Sequence, residues 1–224
     1  MCISIFTYAD DLLILSPSVT YLQRLIRLVE SEFIFLDMPI NASKSMCIRV
    51  GRRHNIKCVD ITAVNGTIIP WVNACRYLGI YIMSGSVFKC DFAYSKISLF
   101  RSFNALFGKI GHRASADVIV HLLKSTCFLI FLYPLEACPV NKTETKSFEF
   151  ALFRIYAKVF GTFSSEIISE CRSDFNLSSA LNLINRKKFN FVKRFVASEN
   201  RICKVFEKNA NSELASLKRL PWPC

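Results

Sequence analysis

The segment Tyr8-Ala9-Asp10-Asp11 contains the residues best suited to chemistry. Short apolar runs on either side of it predict the two strands of a tight hairpin, with both acids at the tip. Carboxylate oxygens are good ligands for hard divalent ions such as magnesium. Two such ions can stabilise both the attacking and the leaving oxygen of a phosphoryl transfer. The segment therefore indicates either a metal-dependent phosphoryl-transfer site or a solvated acidic turn.

The elements after this hairpin are predicted from periodicity and turn signals. Residues 19–36 carry apolar side chains at helical spacing, and Ser16-Pro17-Ser18 is a helix-start signal with proline at the first helical position. Thr20 and Gln23 have the spacing of a capping box. Strands are predicted over residues 46–50 and 77–82, and around Asn65-Gly66, a hairpin signal in which both turn positions need positive φ. The first half is therefore expected to form a small, mostly antiparallel sheet with one packed helix.

The second half changes composition after Ser84-Gly85-Ser86. From there the apolar spacing is helical and strand signals fade. Helices are predicted over residues 89–110, 115–132, 143–160 and 177–208. The fold class expected for the whole chain is α+β, with an all-α second half.

In order and spacing, the motifs of the first half resemble the palm of reverse transcriptases from non-LTR retrotransposons. Residues 8–11 resemble the motif that carries two catalytic aspartates, and residues 41–45 resemble the following motif with its asparagine and lysine. Residues 77–80 are similar to the Tyr-Leu-Gly segment near the primer grip. Residues 132–137 resemble the helix after the palm, although Pro134 stands where the family usually has glycine.

This resemblance implies an RNA-directed DNA polymerase that uses two magnesium ions. Its partners would be an RNA template, a DNA primer and deoxynucleotide triphosphates. Asp10 and Asp11 would be catalytic metal ligands, and Lys44 would stabilise charge on the leaving pyrophosphate. Primer contacts would come from Tyr8, Ala9, Tyr77, Leu78 and Gly79. The alternatives for these residues are an acidic turn, a solvated loop lysine and an ordinary buried strand.

The family has another catalytic aspartate and a fingers region upstream of the paired acids. Only seven residues precede Tyr8 here, and none is acidic. We therefore expect a polymerase fragment that is inactive alone, with the C-terminal part of the palm in residues 1–85 and a helical thumb and post-thumb region in residues 86–224. The alternatives are a non-catalytic nucleic-acid-binding module and a non-functional retroelement relic.

A formal net charge of +12 favours a polyanionic partner, most often nucleic acid, over generic basicity. Residues 186–195 interleave cations with aromatic side chains. Lys and Arg in such a segment can neutralise phosphates, so five residues are candidate nucleic-acid contacts: Arg186, Lys187, Lys188, Lys193 and Arg194. Phe191 and Phe195 either stack on bases or lie on the core side of an amphipathic helix.

The cysteines and the apolar segments indicate the cellular compartment of the protein. The ten cysteines form no Cys-x-x-Cys pair, which favours scattered core thiols in a reducing compartment over a cysteine metal site. Residues 118–133 are apolar, but His121 and Lys124 interrupt them, so a buried helix is favoured over a membrane span. We expect an intracellular protein, in the nucleus or cytoplasm, that is neither secreted nor bound to a membrane.

Overall fold

The computed structural model describes residues 4–111 and 113–219. The chain divides into two compact units, Met1–Cys90 and Asp91–Cys224. The first unit carries small antiparallel sheets and one helix, and the second is built from helices. The predicted α+β class is therefore confirmed.

The first unit contains short strands that pair mainly with their neighbours in sequence. Its elements are β1 Ile5–Tyr8, β2 Asp11–Ile14, α1 Val19–Phe35, β3 Ile61–Thr62, β4 Ile68–Ile69, β5 Ala74–Tyr77, β6 Ile80–Met83 and β7, which spans Lys89–Asp91 at the boundary of the units. Strands β1 and β2 form one sheet, β3 and β4 a second, and β5, β6 and β7 a third. The single small sheet expected from the sequence is therefore three separate small sheets.

Helix α1 begins differently from the prediction. Ser18 is the N-cap, and its side chain accepts a hydrogen bond from the Tyr21 backbone N–H at 3.2 Å. Pro17 thus precedes the cap and does not occupy the first helical position. Gln23 does not complete a capping box, because its side-chain amide pairs with the backbone N–H and C=O of Thr62 at 2.9 and 2.7 Å. The glutamine thus completes the backbone hydrogen bonding of strand β3.

A buried carboxylate forms a second link between α1 and the β3–β4 hairpin. Glu30 is 6% exposed, and its Oε2 accepts a hydrogen bond from the Val64 backbone N–H at 2.9 Å. Around these links lies an apolar cluster of buried residues: Ile26, Ala42, Cys47, Ile61, Ala63 and Ile69. The apolar stripe of α1 therefore packs against the β3–β4 hairpin, as the periodicity of residues 19–36 predicted for a sheet-packed helix.

The strand predicted over residues 46–50 is wrong. This segment makes two isolated parallel bridges, Cys47 with Trp71 and Val50 with Gly85. Cys47 pairs with one segment and Val50 with another, and both partner segments run parallel to residues 46–50. Extended backbone is present, but a continuous ladder is not.

Two turns also differ from prediction. Asn65-Gly66 lies in a three-residue loop, in which the Gly66 N–H bonds the Ala63 carbonyl and only the glycine has positive φ, at 81°. This is the pattern of a three-residue hairpin loop, in which a type I turn is followed by a glycine in the left-handed conformation. The strand predicted over residues 77–82 is instead the β5–β6 hairpin, and Leu78-Gly79 is its turn. Gly79 is therefore needed for the positive φ of the turn. It does not lie inside a strand, where a glycine would allow a neighbouring backbone to approach closely.

The second unit contains eight α-helices in its described residues. They are α2 Ala93–Ile110, α3 Ala116–Leu122, α4 Phe128–Leu132, α5 Lys142–Phe160, α6 Ser165–Asp174, α7 Ala180–Ala197, α8 Arg201–Val205 and α9 Glu207–Lys218. Helices α2 and α5 match their predictions closely. The predicted helix over residues 177–208 is wrong, since α7, α8 and the start of α9 replace it, and α6 was not predicted.

Residues 116–135 form one helical run, in which a π-helical turn, Leu123–Cys127, joins α3 to α4. By length and composition this run could cross a membrane, and 50% of its most apolar window is buried inside the protein. Leu123, Cys127 and Phe131 are fully buried. Core helices of globular proteins can also meet this criterion of length and composition, so the buried helix favoured by the sequence stays a prediction.

The core of the second unit contains a cluster of aromatic rings. Phe148 on α5 is fully buried. It lies edge-on to Phe92 and Phe131, with ring centroids 5.6 and 5.2 Å apart. These contacts connect α5 to α4 and to the residue before α2, so Phe148 is the central side chain of this cluster.

Candidate functional site

The paired acids lie on the β1–β2 hairpin. Tyr8 pairs with Asp11 in the antiparallel register, so Ala9 and Asp10 alone form the turn. Asp10 and Asp11 are both exposed, and Tyr8 is 63% exposed. The hairpin with acids at its tip therefore forms as predicted from the two apolar runs.

Ala9 adopts a backbone conformation that is unusual for alanine. Its φ is +51°, whereas Asp10 does not have positive φ. A positive φ at the first central residue alone is the pattern of a type II′ turn, a position that normally takes glycine. A positive φ is uncommon for a residue with a Cβ. Backbone strain of this kind is common at functional positions, where it helps to fix a turn.

A second two-residue turn joins β5 to β6 at Leu78-Gly79. Both residues have positive φ, +48° for Leu78 and +81° for Gly79, which is the pattern of a type I′ turn. Tyr77 precedes this turn and pairs with Ile80. Burial and the negative charge of Asp11 both raise the pKa of the Tyr77 hydroxyl. The structure therefore brings Tyr77 within electrostatic range of Asp11, although 66 residues separate them in sequence.

Lys44 lies in a polar turn that Asn41 organises. The Asn41 Oδ1 accepts hydrogen bonds from the Ser43 hydroxyl at 2.7 Å and from the Lys44 N–H at 3.3 Å. The Lys44 side chain is exposed and makes no ion pair with Asp10 or Asp11. Direct neutralisation of the acids by this lysine is therefore absent, and its role toward a pyrophosphate stays a prediction.

The donor set at the hairpin suits a hard divalent cation but is small. Asp10 and Asp11 are adjacent in sequence, and among residues 4–111 and 113–219 no cluster of three or more His, Cys, Asp or Glu side chains is present. Magnesium keeps several waters and is commonly held by one or two carboxylates plus substrate phosphates. By their chemistry these two carboxylates suit magnesium, and by their number they leave most of its coordination to other ligands.

Six described cysteines are free thiols: Cys47, Cys58, Cys75, Cys127, Cys171 and Cys203. Cys47, Cys127 and Cys138 are buried, and the remaining described cysteines are partly exposed. Burial raises the pKa of the Cys47 thiol to about 11, so this thiol stays protonated near neutral pH. Because the thiolate is the form that binds metals, Cys47 is a core residue and a poor metal ligand.

The basic segment lies on α7, where some of its cations are exposed and others are half-buried. Arg186, Lys193 and Arg194 are exposed and fall on one side of the helix, given 3.6 residues per turn. Lys188 is half-buried and forms an ion pair with Glu213 of α9 at 2.6 Å. Lys187 is also half-buried. Of the five predicted contacts, three therefore present a common cationic face, which we call the α7 face.

Two aromatic side chains of the basic segment, Phe191 and Phe195, pack between α7 and α9. Phe191 and Phe195 lie 6.2 Å apart and pack on a buried cluster of Val192, Ala210 and Leu217. Both phenylalanines are half-buried against α9. Their position fits the core side of an amphipathic helix, so base stacking by these two rings is not favoured.

Comparisons with known proteins gave no match to a family model, to a curated protein or to a solved structure.

Proposed function

We propose that this chain is part of an RNA-directed DNA polymerase of the kind found in non-LTR retrotransposons. Residues 1–85 would be the C-terminal part of the palm, and residues 86–224 the thumb and post-thumb region. The observation that carries this proposal is the Ala9-Asp10 turn. This turn carries the exposed Asp10 next to an alanine with positive φ, and the exposed Asp11, which raises the pKa of the Tyr77 hydroxyl, follows directly at the start of β2.

In this proposal the turns at residues 8–11, 41–45 and 77–79 have different roles in catalysis. Asp10 and Asp11 would hold magnesium, which would supply charge stabilisation for the transferring phosphoryl group. Tyr8 and Ala9 shape the turn beside the primer terminus, and the turn formed by residues 77–79 supports the primer backbone. Lys44 acts on the pyrophosphate from its exposed polar turn. RNA template, DNA primer and deoxynucleotide triphosphates are the partners, and the protein acts in the nucleus or cytoplasm.

Activity requires more than these residues. Two carboxylates on one hairpin give a magnesium ion few protein ligands, and ligand number sets affinity. We therefore propose that the isolated chain binds magnesium weakly and does not extend a primer.

Titration with Mn²⁺ tests the metal site directly. We expect Mn²⁺ to broaden the backbone NMR signals of Asp10 and Asp11 first, with the ring signals of Tyr77 following, because paramagnetic broadening falls steeply with distance. The double variant D10N/D11N should lose this effect, whereas D37N/D60N, which removes two exposed acids elsewhere in the same unit, should keep it. Equal broadening around Asp37 and Asp60 would show nonspecific binding and would contradict the assigned site.

A second candidate function is nucleic-acid binding without catalysis. The observation that favours it is the α7 face, where Arg186, Lys193 and Arg194 are exposed and Arg194 keeps 72% of its side-chain surface despite a 3.6 Å ion pair with Glu136. Cations on a common helix face can neutralise successive phosphates. Such binding would persist whether or not the acid hairpin is catalytic.

Replacing the three cations of the α7 face with glutamine should weaken binding to duplex nucleic acid. Each lost phosphate contact lowers the slope of log affinity against log salt by roughly 0.9, so the triple variant R186Q/K193Q/R194Q should lose up to about 2.7. The charge-matched control is R24Q/R27Q/K57Q, which removes three exposed cations of the first unit. Fluorescence anisotropy across a salt series measures both slopes. The α7 face is ruled out as the contact if the two triple variants lose the same amount.

A further inference from the structure

We propose that a cleft between α2 and α5 binds one phosphate of a nucleic-acid strand, with Arg154 and Lys158 as its cationic contacts. The proposal rests on the nucleic-acid binding proposed above and assigns that binding a second contact site. It is separate from the acid hairpin and from the α7 face.

The cleft has an apolar floor and a cationic rim. It encloses about 260 Å³ and is lined by Phe100, Phe103, Asn104, Arg154, Ile155 and Lys158. Phe103 and Ile155 are each 1% exposed and form the floor. Asn104, Arg154 and Lys158 are exposed at the rim, and Phe100 is half-buried. No acidic residue lines the cleft.

The Lys158 ammonium is held in place by neutral groups. Its Nζ donates to the Asn104 Oδ1 at 3.0 Å and lies 5.7 and 5.1 Å from the ring centres of Phe103 and Phe107. Within the described chain it has no carboxylate partner. An amide oxygen and two rings orient the cation but leave its charge uncancelled, so the ammonium is positioned to meet an anion.

Arg154 adds a second uncompensated cation one helical turn earlier on α5. Residues four apart on a helix are neighbours, and a like-charged pair there destabilises the helix. Among the residues described, Arg154 has neither an ion pair nor a side-chain hydrogen bond. A bound anion would convert this repulsion into two favourable contacts.

The chemistry of the rim favours phosphate. A guanidinium presents paired donors that match two phosphate oxygens, and an ammonium binds phosphate as a point charge. The volume is below the ~300–1,000 Å³ that is common for sites enclosing a whole small ligand. A single phosphate with part of the adjoining sugar fits better than a complete nucleotide, with Phe100 in contact with the sugar. The net charge of +12 favours a polyanionic strand as the source of that phosphate.

The test compares two charge-matched double variants of the full chain. R154Q/K158Q removes the cleft cations, and R101Q/K146Q removes two exposed cations on the same helices outside the cleft lining. Anisotropy with a labelled oligonucleotide should show about tenfold weaker binding for the cleft variant than for the control, since hydrogen bonds to charged groups are worth roughly 1.5–3 kcal/mol. Circular dichroism checks that both variants keep their helical content.

A second measurement does not depend on variants. The side-chain amide signals of Asn104 in the wild-type chain should shift on adding oligonucleotide, and inorganic phosphate at high concentration should reverse that shift. If inorganic phosphate shifts Asn104 and the oligonucleotide does not, the cleft takes a free anion and the strand assignment is overturned.

The remaining outcomes separate this inference from the proposed function. Oligonucleotide binding that is equally weakened in both double variants, or unchanged in both, overturns the cleft but leaves nucleic-acid binding intact. If the wild-type chain binds no oligonucleotide at low salt, both the cleft assignment and the proposed nucleic-acid binding are overturned.

Discussion

Replacing Phe148 with alanine should destabilise the second unit by about 4 kcal/mol. Large-to-small changes of a buried phenylalanine cost about 3–5 kcal/mol, because transfer free energy is lost and a cavity remains. Phe148 is fully buried and also loses two edge-on ring contacts, with Phe92 and Phe131. Each such pair contributes about 0.5–1.5 kcal/mol beyond area burial. Urea unfolding followed by circular dichroism measures the change.

The same helix supplies the control. Phe150 lies two residues further along α5 and is 63% exposed, so Phe150→Ala should change the free energy of unfolding by less than about 0.5 kcal/mol. Phe148→Leu should fall between the two, since leucine keeps much of the buried volume. Similar losses for Phe148→Ala and Phe150→Ala would show that the aromatic cluster is not the core of this unit.

Elements with strong local signals could be predicted from the sequence. The spacing of Leu22, Ile26 and Val29 is enough to identify α1, and α5 has the same kind of stripe. The acid hairpin was also predictable, because two apolar runs flank a short polar turn. In each case, the information lies within one segment of the chain.

Two of the wrong predictions have the same physical reason. Leu78 occupies a left-handed position that leucine rarely adopts, so Tyr77–Ile80 looked like an unbroken strand. The single helix predicted over residues 177–208 shows a related problem. Its helical spacing continues past the Ser198–Asn200 break, where the Asn200 side chain caps a new helix. A competing local conformation prevailed in both places.

The candidate site depends on contacts that local patterns cannot show. The two acids were identified from their own segment, but the effect of the Asp11 charge on the pKa of Tyr77 relates two hairpins far apart in the chain. The α2–α5 cleft was missed for the same reason. Arg154 and Lys158 are separated by some 50 residues from Phe100 and Asn104, and the only signal in the sequence was a like-charged pair four residues apart.

Loss of the Asp10 carboxylate should have the largest effect on activity. In a chimera that joins this chain to the fingers and upstream palm aspartate of a non-LTR reverse transcriptase, Asp10→Asn should lower nucleotide incorporation on the order of 10³-fold. The reason is that metal ions provide several kcal/mol of transition-state stabilisation, and each 1.36 kcal/mol is a factor of ten in rate. Asp60→Asn, which changes an exposed acid of the same unit, should leave the rate nearly unchanged.

Primer extension on a primed RNA template with magnesium is the most direct test of the polymerase assignment. We expect no extension by the isolated chain, extension by the chimera, and loss of that extension with Asp10→Asn but not with Asp60→Asn. Robust incorporation by the isolated chain would contradict its description as a fragment. A folded chimera that binds primer and template yet extends equally well with and without the Asp10 carboxylate would contradict the assignment of the acid hairpin as the catalytic metal site.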